Sequence, residues 1–385
     1  MAQRLSGRKT AFVHDFLVSY GGAERVLESL VRLDPDAPIY TLLYDAEAMS
    51  GRFEGREIRT SFLQKLPRFL RKRYRLLLPL FPVAAESLDL REFDLVISSS
   101  GAWAKGIVTR LRTFHIAYLH SPMRLLWDAN GRYLDESRVF GPCRALLRFY
   151  LSYLRVWDRE AADRPDLLVS NSRYTRSRVE KYYRRDSAVI TPPVALPIPE
   201  AADPREGADV SDREEFFLVV SRLTASKGID VAVEAFNKLE LPLRIVGSGR
   251  ERARLETMAG RTVDFLGTVD DKTLASLYRR ARAVVVPSEE DFGLAAAEAV
   301  SCGTPVITVR EGGASEVVEE GKTGESFGAS TPESLADAVR RFLDRGPDSY
   351  VSDPRTRERF SEEAFLSSWR DVLREAESER TSNLP

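Results

Sequence analysis

The chain is poor in the residue types that would narrow its biochemistry fastest. Its 385 residues include 2 cysteines, Cys143 and Cys302, far apart and without metal-ligand spacing. That excludes a disulfide framework and a zinc module, and it suits a reducing compartment. Net charge is also missing, since 57 Lys+Arg stand against 58 Asp+Glu. Such a balance gives no global polyanion-binding surface, nucleic acid included, so any basic surface has to be local. No stretch approaches the roughly 18 uncharged apolar residues of a membrane-spanning helix. Arg4, Arg8 and Lys9 near the N-terminus precede no long apolar core with a small-residue cleavage site. No secretory signal is therefore expected, and a cytoplasmic location is.

What is present is a soluble, globular composition, 43% hydrophobic and 30% charged. A chain of this length exceeds what one core usually serves, so two domains are expected. Short apolar runs alternate with longer helical patterns. Ala11 to Val13, Leu95 to Ser98, Thr113 to Leu119, Leu167 to Ser170 and Ala188 to Ile190 read as buried strands, with amphipathic stretches such as Ala23 to Leu33 between them. The pattern breaks at Pro192-Pro193 and restarts with Phe216 to Val220, Leu243 to Val246, Val263 to Leu266, Ala283 to Pro287 and Pro305 to Thr308. Strands separated by helices of this length imply βαβ units, hence an α/β protein with two Rossmann-like, doubly wound parallel sheets. The reading places a first domain at 1–195, a Pro-rich linker at 196–212 and a second domain at 213–357. Residues 358–385 form a terminal helix, apolar at Phe360, Phe365, Trp369 and Val372, and a frayed tail.

In parallel α/β sheets ligands sit beyond the carboxyl ends of the strands, so the residues placed there matter most. "SRLTASKGID" follows Phe216 to Val220 and puts Arg222 and Lys227 next to a helix opened by Gly228. Two cations at a helix N-terminus suit a diphosphate, although solvated loop cations read the same way. After Ala283 to Val286 comes "EEDFGLAAAE", with Glu290 on the loop, a helix starting near Phe292-Gly293 and Glu298 within it. Eight residues of continuous helix would span roughly 12 Å, a separation that fits two ends of one extended ligand. Otherwise Glu290 merely favours the helix dipole, a role that accounts poorly for Glu298 between Ala and Val. Gly21-Gly22 in "HDFLVSYGGAERV" is either a ligand-facing loop or a plain helix-entry turn. His120 follows a strand and precedes serine and proline, His14 and Asp15 end the first strand, and His115 lies inside a strand pattern as a core residue.

Taken together, "EDFGLAAAEAVSCGTPVI" with "EGGASEVVEEGKTG", "SRLTASKGID", "NSRYTRSRVEKYY" leading to "TPPV", and "FSEEAFLSSW" resemble the family 4 retaining nucleotide-sugar glycosyltransferases. That resemblance implies the GT-B fold, with the two domains facing a central cleft and the last helix crossing back to the first. It implies that Glu290 contacts the donor sugar beside the N–H groups of Phe292, Gly293 and Leu294. Glu298 would hold the ribose, Arg222 and Lys227 the diphosphate, and the loop at Val269 the nucleobase. Gly21 and Gly22 match the glycine loop that approaches the diphosphate, and His120 matches a family histidine near the sugar.

The implied enzyme is a retaining hexosyltransferase that moves a sugar from a nucleoside-diphosphate sugar to a glycan or polyprenyl-linked acceptor in surface-polysaccharide assembly. The "EEDFG" wording is most similar to mannosyltransferases using GDP-mannose. Ala295-Ala296-Ala297 stand where bulkier residues are common, which bears on donor choice. With no Asp-x-Asp after an apolar strand and no carboxylate or histidine cluster, metal independence and no other cofactor are expected. A nucleotide-sugar epimerase of the same fold and a non-catalytic nucleotide-sugar-binding subunit are the rival readings. Finally, "LPRFLRKRYRLLLPLFP" (Leu66 to Pro82) carries Arg68, Arg71, Lys72 and Arg75 and no acid. It is expected to be one basic amphipathic helix, either packed on its own domain or lying on anionic lipid at the inner face of the cytoplasmic membrane.

Overall fold

The computed structural model describes residues 7–128, 141–197, 214–346, 349–350 and 354–382. The chain forms two compact units, Met1–Thr191 with Leu366–Pro385, and Pro192–Phe365. Of the predicted linker, only Leu196 and Pro197 fall within the described residues.

The first unit is built on β1 (Thr10–His14), β2 (Ile39–Thr41), β3 (Ile58–Thr60), β4 (Leu95–Ser100), β5 (Phe114–Leu119), β6 (Leu167–Ser170) and β7 (Ala188–Val189). All neighbours are parallel, in the order β3-β2-β1-β4-β5-β6-β7. The strands read as apolar runs without alternation because helices cover both faces, and every residue of β1 is buried. Val13, Phe81, Trp103 and Trp157 belong to one core cluster, and Trp369 of the terminal helix packs on Tyr118 with ring centroids 5.8 Å apart.

The second unit repeats the plan with β8 (Phe217–Val220), β9 (Leu243–Val246), β10 (Val263–Gly267), β11 (Ala283–Val286), β12 (Val306–Val309) and β13 (Gly324–Phe327), ordered β10-β9-β8-β11-β12-β13. Phe217, Phe236, Val285 and Phe342 pack in one cluster, while Leu218, Tyr278, Val284 and Val300 pack in another. Each such burial is worth about 1.5–3 kcal/mol. Helix starts follow local chemistry: Ser172, Asp270 and Thr331 each accept a backbone N–H from the first turn they precede. In both sheets the strand order reverses once, between β1 and β4 and between β8 and β11. Those reversals are where a parallel α/β sheet opens a ligand crevice.

Two sequence expectations need correction. Residues 66–82 are not one helix: Pro67 caps a five-residue helix, Arg68–Lys72, Arg73 breaks it at φ −107° and ψ 33°, and Tyr74–Leu80 is a 3-10 stretch. Pro79 lies inside that stretch and has no N–H to give to the carbonyl four residues earlier, so α geometry cannot run through. Arg68, Arg71, Lys72 and Arg75 therefore do not share one helical stripe. The terminal helix is likewise two pieces, Pro354–Arg359 and Glu362–Ser382.

Candidate functional site

In the second unit, the loops leaving β8 and β11 lie side by side because those strands pair. They bring Lys227 and Glu290, 63 residues apart, into contact: Nζ lies 2.8 and 2.6 Å from the two carboxylate oxygens. Ser288 Oγ donates to the same carboxylate at 3.2 Å. Both partners stay about one-fifth exposed, 19% and 21%, so the pair is held but reachable. Glu290 sits on the turn ahead of the helix Leu294–Ser301, so its spacing to Glu298 is not a run of continuous helix.

Gly293 caps that helix at φ +84°, in the left-handed region, and a Cβ there would lie 2.5 Å from Cβ of Ala314. Glycine is required twice over, by backbone and by space. The helix thus opens, beside the Lys227–Glu290 pair, with N–H groups that have no earlier turn to bond to. Behind it, Gly313 on the loop after β12 donates its N–H to Glu290 O at 2.7 Å, and a Cβ on Gly313 would stand 2.2 Å from Asp291 O. This backbone-to-backbone seat for Glu290 was not anticipated from sequence, although the Gly312-Gly313 pair directly after a buried strand was a readable signal. Arg222 is exposed on the β8 loop, Val269 is partly buried just past β10, and Leu294 is partly buried at the helix start. Phe292 is buried, edge-on to Phe360 at 5.9 Å.

Glu298 is 4% exposed and accepts from Tyr278 Oη at 2.7 Å. It is an interior carboxylate. Next to it, burial and then the charge of Glu298 push the Cys302 thiol up to about 12.

In the first unit, β1 and β4 meet at the other reversal. His14 Nδ1 lies 3.1 Å from Ser99 Oγ, and Ser99 Oγ lies 2.8 Å from His120 Nε2. On its other side, His14 Nε2 is 3.5 Å from Glu24 Oε1. Gly21 caps the helix Gly22–Leu30 with extended backbone, φ −160°, and a Cβ there would come within 3.2 Å of Glu24 Oε2. Asp15 does not point to a ligand: its carboxylate accepts four backbone N–H groups, of Gly101 and Ala102 at 2.8 Å, Trp103 at 2.9 Å and Ala104 at 2.6 Å. His115 is core, as expected, bonded to Ser98 Oγ at 2.8 Å, and burial holds its pKa down to about 3.

The basic segment also lies on the first unit. Arg68, Arg71 and Lys72 line a groove of about 470 Å³ with Val18, Tyr44 and Tyr74. Arg68 is taken by Glu47 at 3.1 Å, whereas Arg71 and Lys72 make no ion pair among the described residues. Arg75 is exposed, as are Phe69 and Leu76. Tyr150, on the helix Pro142–Ala161, donates to Leu78 O at 3.2 Å. That helix exposes Leu146, Phe149, Tyr153 and Val156 along one side, with Phe149 74% exposed. Among the described residues no helix is long and apolar enough to cross a membrane.

Two Rossmann-like units, each with a single strand-order reversal and with a helix start, a cation and a carboxylate gathered at one of them, define a GT-B protein. Sequence comparison narrows this further. Residues 203–366 match the family "Glycosyl transferases group 1" and residues 20–196 match "Glycosyltransferase Family 4". With both halves matched in order, the chain belongs with the family 4 glycosyltransferases of GT-B type. It is 38% identical over 149 residues to an uncharacterized glycosyltransferase of Methanocaldococcus jannaschii, covering 36% of this chain and 38% of that one. A D-inositol 3-phosphate glycosyltransferase of Corynebacterium urealyticum is 30% identical over 280 residues, 65% of this chain and 63% of the relative. The chain thus spans less than two thirds of either relative. Among solved structures, a sucrose-phosphate synthase from Thermosynechococcus elongatus superposes with TM-score 0.70 at 21% identity, over 97% of this chain and 100% of that one. Anabaena HepE in complex with UDP and glucose gives 0.66 at 19% identity, over 95% and 99%. These two likenesses concern the fold.

Proposed function

We propose that the protein is a retaining glycosyltransferase that carries mannose from GDP-mannose to a glycan on a polyprenyl-linked acceptor, in surface-polysaccharide assembly at the inner face of the cytoplasmic membrane. The observation that carries this reading is the Lys227–Glu290 pair beside the Gly293 helix start, at the carboxyl ends of β8 and β11. As the glycosidic bond breaks, negative charge grows on the diphosphate and the sugar becomes oxocarbenium-like. Lys227 has three donors, so it can hold Glu290 and a phosphate oxygen together. Arg222 and the N–H groups at Phe292, Gly293 and Leu294 add fixed positive potential where the leaving group forms. Glu290, anchored by Ser288 and the Gly313 backbone, orients the sugar hydroxyls and is not a covalent nucleophile. Retention follows from attack on the face the leaving group departs from, with a phosphate oxygen taking the acceptor proton. Glu298, one oxygen held by Tyr278, would take the ribose hydroxyls, Val269 the base, Gly21 and Gly22 the diphosphate, and His120 the sugar.

The test is a panel of nucleotide sugars, with and without a polyprenyl-linked acceptor. Acceptor-dependent release of nucleoside diphosphate, greatest with GDP-mannose, is expected. Sugar isomerisation without acceptor, or binding without turnover, would overturn the transferase reading. Preference for a UDP-sugar would overturn only the donor.

Membrane contact belongs to the same reading. Arg68, Arg71, Lys72 and Arg75 would meet anionic headgroups, each cation contributing about 1 kcal/mol near the surface. The exposed apolar residues Phe69, Leu76, Leu146 and Phe149 would enter the interface, and exposed apolar surface of this kind marks contact sites. The protein is expected to bind phosphatidylglycerol vesicles at low salt and to release at high salt. Replacing Arg71→Glu, Lys72→Glu and Arg75→Glu together should abolish binding; unchanged partitioning would sink the idea.

A further inference from the structure

We propose that Glu24, His14 and Ser99 are positioning residues for His120: together they form a hydrogen-bonded relay that sets which ring nitrogen of His120 carries its proton. The inference rests on the reading of His120 as a sugar-contacting residue. Its evidence is separate. Four polar side chains from four places in the chain, the helix Gly22–Leu30, β1, β4 and the end of β5, line up as Glu24–His14–Ser99–His120 at 3.5, 3.1 and 2.8 Å. His14 is 3% exposed and Ser99 0%, so water does not compete for these groups.

The direction of each bond follows from what each group can do. An ionised carboxylate only accepts. Burial favours the neutral acid at Glu24, yet the hydrogen bond with His14 holds its carboxyl below the usual range. Glu24 therefore accepts from Nε2–H of His14. With the His14 ring neutral, its Nδ1 must accept, and the donor facing it is the Ser99 hydroxyl. With its O–H directed at His14, Ser99 Oγ accepts from Nε2–H of His120, whose Nδ1 then carries no proton. If His14 takes up a second proton, Nδ1–H donates to Ser99, the hydroxyl turns to donate to His120 Nε2, and the His120 proton moves to Nδ1. The relay thus decides whether Nδ1 of His120 accepts from or donates to a sugar hydroxyl. Asp15, the residue after β1, commits its carboxylate to the N–H groups of residues 101–104 and not to the relay.

The chain's 3 histidines make the test direct, since ring-labelled [15N]histidine gives three assignable spin systems. At neutral pH His120 is expected to show protonated Nε2 and unprotonated Nδ1. Ser99→Ala and Glu24→Gln should each shift the His120 tautomer balance, while buried His115 stays unchanged as the internal control. With the nucleotide sugar turned over in the donor panel, Ser99→Ala should lower kcat about 10- to 100-fold with KM for that donor within about threefold, a loss of the size expected when a hydrogen-bonding group is left unmatched. Ser99→Thr, which keeps the hydroxyl, should recover most of it. Glu24→Gln is nearly isosteric and serves if Ser99→Ala does not fold. Identical His120 signals in both variants, or shifted tautomers with undiminished kcat, would overturn the relay. The magnetic-resonance arm needs no substrate, so its failure is distinct from that of the functional reading, which falls if His120→Ala keeps full activity.

Discussion

In the Glu290→Ala protein, acceptor-dependent release of nucleoside diphosphate is expected to fall about 10²- to 10³-fold, the loss seen when one preorganised charge-stabilising group is removed from an active site. The size follows from the geometry. Glu290 holds Lys227 through both carboxylate oxygens, so truncation removes the sugar-orienting group and also frees Lys227 from a defined place. Both side chains are about one-fifth exposed, so the variant should fold with nearly native stability, and thermal unfolding should confirm it. Glu290→Gln should lose nearly as much, because an amide keeps the shape but not the charge that fixes the lysine. Near-native turnover in either folded variant would overturn the site assignment.

The second large effect concerns stability. Asp158→Ala is expected to destabilise the first unit by about 3–5 kcal/mol, the usual result of stripping the partner from a buried charge. Lys105 is 1% exposed and Asp158 0%, with Nζ 2.5 Å from Oδ1. Asp158 also accepts from Trp127 Nε1 at 2.7 Å and Tyr183 Oη at 2.8 Å, while Lys105 donates to Ala102 O at 2.6 Å. Asp158 is the partner shared by Lys105, Trp127 and Tyr183, so deleting it leaves all three without that acceptor. All 4 tryptophans, Trp103, Trp127, Trp157 and Trp369, lie in the first unit, so their fluorescence reports it selectively. A fall in the urea midpoint of that signal by more than about 1 M is expected. A shift under about 0.3 M would show the pair to be dispensable.

Much of this was legible from the chain alone, wherever the determinant is local. The apolar runs at Leu243 to Val246 and Leu167 to Ser170 became β9 and β6, because a strand covered on both faces must be apolar at every position. The helix opened by Gly293 was legible because a left-handed cap favours glycine. Shorter or more polar elements were not. β2 and β3 have three residues each, too few for a pattern. β13 hides behind Glu325, which is buried yet held by Tyr350 Oη at 2.7 Å. The basic segment misled because its charges recur at helical spacing, while Pro79 and Arg73 break the backbone that would carry them.

The sequence by itself determined the alternation of strand and helix, the glycine caps and the placing of Lys227, Glu290 and His120 at carboxyl ends of strands, since these depend on residues a few positions apart. Only the tertiary structure decided that Lys227 pairs with Glu290, that Glu298 turns inward to Tyr278, that Asp15 closes a backbone turn and that His14 joins His120 through Ser99. The physical reason is that a polar side chain leaving water must find a compensating partner, and strand order, not sequence distance, decides which partner is near.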